Sequence, residues 1–121
     1  MLFMMIIKAS NHSEAGQLPS AELMEAMRQY NEELVRAGVR VAAKGLHPSS
    51  SGMRFSFVRP GEKPVVTEGP FAATNELIAG FFLIEVKSKE EAIEWAMRMP
   101  DPQGHGEGQV ELRQVFEDPE S

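Results

Sequence analysis

Three histidines, a run of three serines and two glutamates flanking a Gly-Pro turn are the residues of this chain whose types could carry chemistry. No two of His12, His47 and His105 are four apart, so no helical metal pair exists. The chain has no cysteine, which removes a thiol nucleophile, a disulfide framework and Cys-ligated zinc. No metal site is expected. His47 is the best single candidate for a general acid or base. It stands at a predicted strand end, in the loop Gly45-Leu46-His47-Pro48-Ser49-Ser50-Ser51. An unperturbed imidazole pKa of roughly 6.5 suits proton transfer near neutrality. The competing reading is structural, with the ring capping loop backbone groups beside Pro48. His12 and His105 read as loop residues. Gly104-His105-Gly106-Glu107-Gly108 precedes a strand and opens no helix, so it is not a phosphate loop. Ser49, Ser50 and Ser51 lack the strand-elbow-helix setting of a hydrolase nucleophile and read as turn residues and hydroxyl donors.

Glu68 and Glu76 bracket a second candidate region, Glu68-Gly69-Pro70-Phe71-Ala72-Ala73-Thr74-Asn75-Glu76. Gly69-Pro70 fixes a turn, because proline presets one backbone angle and glycine relaxes the next. On the structural reading this turn sets the register of the following strand, and Phe71 plugs the adjacent core. On the functional reading Glu68, Thr74 and Glu76 rim a mostly apolar pocket with His47 opposite. His47 and Glu68 are then the catalytic candidates, and Ser49, Phe71, Thr74 and Glu76 the ligand contacts. No cofactor is called for.

The elements that must position these residues follow from periodicity and punctuation. Leu2 to Ile7 reads as a buried strand, and Ser10 to Pro19 as a polar loop. Leu23, Met27, Tyr30 and Leu34 form one apolar stripe of a helix capped by Ser20 and stopped by Gly38. Val39 to Ala43 is a short strand. Met53 to Val58 and Val65 to Thr67 form a hairpin about the turn cluster Arg59 to Pro64, with Phe55 and Phe57 on one face. Leu77 to Ile84 is nearly continuous in apolar residues, whereas a strand with one wet face should alternate. Ser88 and Glu91 have capping-box spacing at the head of a helix over Lys89 to Arg98. Gln109 to Phe116 is the last strand. The order is β-α-β, an inserted hairpin, then β-α-β, a split βαβ pattern. Helices cover one face of such a sheet. The two non-alternating strands ask for cover on the other, supplied most simply by a second copy in a two-fold homodimer.

At 121 residues, 42% of them hydrophobic, the chain reads as one α+β domain over residues 1–116 with an acidic tail over 117–121. A formal net charge of −6 argues against direct nucleic-acid contact, which needs clustered Lys and Arg. No segment reaches membrane-spanning length, and Met1 to Ile7 lacks the marks of a signal peptide. The absence of cysteine fits a reducing cytoplasm.

The turn Glu68-Gly69-Pro70-Phe71-Ala72-Ala73-Thr74-Asn75-Glu76 resembles the Asp-Gly-Pro-Phe-Ala-Glu-Thr-Lys-Glu signature of the DGPF branch of the YCII-related proteins. The likeness extends through Tyr30 to Val39, Gly45 to Ser50, Gly80 to Ala96 and Val110 to Phe116. Glu68, Ala73 and Asn75 depart from the signature, so roles needing those side chains do not carry over. The resemblance implies a ferredoxin-like, dimeric α+β barrel. In the better-characterised branch a histidine near the first helix and an aspartate are thought to act as a catalytic pair. Here Ser20 to Gly38 contains neither residue type. Two functions follow as expectations. One is a cleft that binds a small organic molecule, with cofactor-free acid/base (lyase-type) chemistry if it is catalytic. The other, from family context, is a non-enzymatic regulatory partner module, a companion of sigma factors acting through protein contacts.

Overall fold

Hydroxyl caps and a left-handed glycine set the ends of the two long helices. The Ser20 hydroxyl accepts from the Leu23 amide at 3.1 Å, and Gly38 closes the same helix at φ +72°. The Ser88 hydroxyl accepts from the Glu91 amide, also at 3.1 Å. The Glu91 carboxylate reaches back to the Lys87 amide at 2.9 Å, one residue before the capping-box position. The computed structural model describes residues 1–118. Its elements are β1 (Leu2–Lys8), α1 (Asn11–Glu14), α2 (Ala21–Arg36), β2 (Arg40–Gly45), β3 (Met53–Ser56), β4 (Val65–Glu68), β5 (Ile78–Glu85), α3 (Lys89–Arg98) and β6 (Val110–Gln114). Short 3-10 turns lie at Ser49–Ser51 and Thr74–Glu76.

Four strands form one antiparallel sheet in the order β2-β5-β1-β6, and β3 pairs with β4 in a separate hairpin. With α2 and α3 as the two crossovers, this is the ferredoxin-like α+β arrangement with a hairpin inserted between β2 and β5. The expected loop over Ser10 to Pro19 is corrected in one respect. Ser10 caps α1, accepting from the Ser13 amide at 3.2 Å, because four polar residues after a serine can satisfy a single turn.

Phe3, Met5, Phe82 and Ile84 on one sheet face pack with Tyr30 and Leu34 of α2 and with Ala92 and Trp95 of α3. Tyr30 sits edge-on to both Phe82 and Trp95, with ring centroids 5.5 and 6.2 Å apart. Its hydroxyl donates to the Trp95 carbonyl at 2.6 Å, satisfying one of the last carbonyls of α3. The Arg98 guanidinium lies 4.3 Å over the Trp95 ring. The central strands do alternate in burial. Gly80, Phe82 and Ile84 are buried, while Ala79, Phe81 and Leu83 on the outer face are half-buried, as are Leu2, Met4 and Ile6 of β1. Continuous apolar sequence thus reflects two apolar faces, of which the helices cover one.

The hairpin departs most from expectation. Phe55 and Phe57 are 56% and 76% exposed, and Phe57 lies beyond the end of β3. Phe71 is half-buried outside the main core, with the Arg54 guanidinium 4.0 Å over its ring. Of the acidic tail, Glu117 and Asp118 lie outside helix and strand, and residues 119–121 lie outside the described residues.

Candidate functional site

The apolar stripe of α2 runs on past the core. Tyr30 and Leu34 are buried in the core, but toward the start of the helix Met27 packs at the core's edge and Leu23 and Met27 are only half-buried. The result is a cleft of about 1070 Å³ between α2 and the β2–β5 side of the sheet. Ile7, Leu23, Met27, Ala43 and Phe82 give it apolar walls. Asn31 of α2 and Arg40 of β2 also line it, with the Arg40 guanidinium 3.5 Å from the Asn31 amide oxygen. Three segments complete the wall: the chain through α1 to Ser20, the loop Leu46-His47-Pro48 and the loop from Pro102 to His105.

Gly80 belongs to this wall and pairs with Gly45 across β5 and β2. A Cβ on Gly80 would lie 2.7 Å from the Lys44 carbonyl oxygen and 3.1 Å from the Gly45 Cα, both main-chain atoms. Only glycine permits the approach of the two strands there.

Hydrogen bonds tie the three segments to the sheet. The Ser10 hydroxyl donates to the Gln103 side-chain oxygen at 2.8 Å, and the Gln103 amide donates to the Lys8 carbonyl at 3.1 Å. In the last loop Gly104, His105 and Gly106 are successively left-handed, at φ +71°, +61° and +70°. The His105 ring stacks on His12 with centroids 4.4 Å apart, and His12 Nδ1 is 3.2 Å from a Glu107 carboxylate oxygen. His105 is a loop residue, as local composition suggests; its ring contact depends on a tertiary approach that composition cannot report.

All three histidines line the cleft. Among the described residues, no group of three or more His, Cys, Asp or Glu could hold a metal ion. His47 is exposed at the wall, and its ring makes no hydrogen bond to any described residue. Of the other sequence-derived candidates, none lines the cleft. Glu68 is exposed at the end of β4, Glu76 is exposed in the second 3-10 turn, and Thr74 is half-buried in that same turn. Neither glutamate contacts His47.

Ser49 has a defined task two residues from His47. Its amide donates to the Glu14 carboxylate at 2.9 Å, its hydroxyl donates to the same carboxylate, and that hydroxyl accepts from the Phe71 amide at 3.0 Å. The Gly69 amide donates to the Gly52 carbonyl at 3.0 Å, and a methyl on Gly69 would overlap the Ser49 carbonyl. The Gly69–Pro70 peptide is cis. The signature turn is therefore fastened to the His47 loop through Ser49, and the loop to α1 through Glu14. Sequence reading missed Glu14, Asn31 and Arg40. Glu14 carries no local signal, whereas the apolar stripe that leads to Asn31 was visible one turn earlier.

The profile of the YCII-related domain matches residues 1–117. No curated protein matches the chain. The chain belongs to the YCII-related domain family.

Proposed function

We propose that this YCII-related protein binds a small organic molecule in the cleft between α2 and the β2–β5 edge. The observation that carries the reading is an apolar cleft of about 1070 Å³ with His47 on its wall, its ring unengaged by any described residue. If the bound molecule is turned over, the reaction class that fits is cofactor-free proton transfer or elimination, with His47 accepting the proton. Ser49 then acts as a positioning residue, and the turn carrying Glu68, Phe71, Thr74 and Glu76 supports it. The resemblance of the Gly69–Phe71 turn to the DGPF signature supports membership of that branch on this reading. A cysteine-free sequence suits a cytoplasmic setting, and no described helix is long and apolar enough to cross a membrane. A second copy on the outer sheet face would give a homodimer.

A thermal-shift screen against small phenols and hydroxy acids tests the cleft. Ligand at 100 times its dissociation constant adds about 2.7 kcal/mol of stability, a clear rise in melting temperature. With a ligand that is turned over in hand, His47→Ala should lower turnover by roughly 10²- to 10⁴-fold. Unchanged turnover removes His47 from the chemistry.

The exposed hairpin favours a second reading. Met53, Phe55 and Val66 expose apolar surface away from the sheet. Such a patch suits a protein partner, the regulatory-module alternative. Specific capture of one partner by the native protein, lost in Phe55→Ser, is its expected result.

A further inference from the structure

We infer that the ligand of this cleft is an organic anion, a carboxylate on an apolar body, and that Arg40 with Asn31 receives its charged end. The inference rests on the cleft being a ligand site. The chain carries 18 Asp and Glu against 12 Lys and Arg, yet no Asp or Glu lines the cleft. Arg40, His12, His47 and His105 all do, whereas Lys44 pairs with Phe81 of the outer face and reaches the wall at the sheet edge. The Glu107 carboxylate is engaged by His12 and stands outside the wall.

Arg40 is singled out by comparison with the other arginines. Arg28, Arg36, Arg59, Arg98 and Arg113 each pair with a glutamate, and Arg54 lies over the Phe71 ring. Arg40, among the described residues, has neither a carboxylate nor an aromatic partner, only the Asn31 amide oxygen at 3.5 Å. A guanidinium offers a planar fork of donors matched to a carboxylate. The Asn31 amide NH₂ can donate beside it. The apolar residues along the rest of the cleft would take the body of the molecule.

The test is a set of aryl and alkyl monocarboxylates, each matched to its primary amide, titrated into the ¹⁵N-labelled protein and followed by amide shifts of the cleft residues. Carboxylates should bind at least tenfold tighter than their amides, and Arg40→Gln should abolish that preference. Equal binding of acids and amides overturns the anion assignment and leaves the cleft as a ligand site. A preference that survives Arg40→Gln but is lost in Lys44→Gln overturns the role of Arg40. No shifts in cleft residues with any member of the set overturn the cleft reading itself. A fall in mass of Arg40→Gln by light scattering would assign Arg40 to a subunit contact instead.

Discussion

Tyr30 joins packing and polarity in a single side chain. Burial pushes its phenol above the ordinary value of 10.0, since the charged form would lose hydration in the core. The unfolded chain therefore ionises first as pH climbs past 10, so the stability due to Tyr30 is complete below that value and declines above it. Tyr30→Phe should cost about 1–2 kcal/mol at pH 7, from the unsatisfied Trp95 carbonyl. By pH 11 the gap to the parent should narrow by about 1 kcal/mol. Urea melts at the two pH values check both statements. Ser49 is the polar counterpart. Ser49→Ala strips a hydroxyl from the Glu14 carboxylate and an acceptor from the Phe71 amide, at an expected cost of about 1–3 kcal/mol. The same melts should detect it, and amide exchange should show the His47 loop opening before the sheet. Tyr30 was legible as the centre of the α2 stripe. The bond partners of Ser49 were not, because Glu14 and Phe71 lie 35 and 22 residues away.

At the scale of elements, the strands, the long helices and their caps could be read from the sequence because each is fixed by neighbours within a few residues. Ser20, Gly38 and Ser88 sit where spacing put them. What could not be read was how elements lean on one another: the turn of α1 inside a polar loop, and the cleft that opens between the start of α2 and the sheet. Continuous apolar sequence in β5 told that both faces were apolar but not which one the helices take. Gly80 illustrates the same boundary, since nothing in its neighbours announces how close β2 approaches. Gly80→Ala should destabilise by about 1–3 kcal/mol through overpacking against main chain that cannot step aside. Loss of protection should be concentrated in β2, and a melting temperature equal to the parent's would refute the contact.

For the molecule as a whole, the outer sheet face carries Leu2, Met4, Ile6, Phe81 and Leu83, with Glu111 and Arg113 beside them on β6. The expected homodimer would bury this strip, sheet on sheet. Leu83→Glu should then halve the mass seen by light scattering at micromolar concentration while the far-UV spectrum keeps its shape. A parent protein that is already monomeric defeats the dimer at once. The candidate site was legible in part for a related reason. His47 lines the cleft because strand ends gather at one end of an α+β sheet, whereas Glu68 and Glu76 belong to an insertion whose direction sequence does not encode. The chain's one tryptophan, Trp95, is 7% exposed against α3's neighbours and takes no part in the cleft wall. Its emission will consequently follow loss of the core more directly than occupation of the cleft, so a flat fluorescence titration of this protein does not by itself exclude binding.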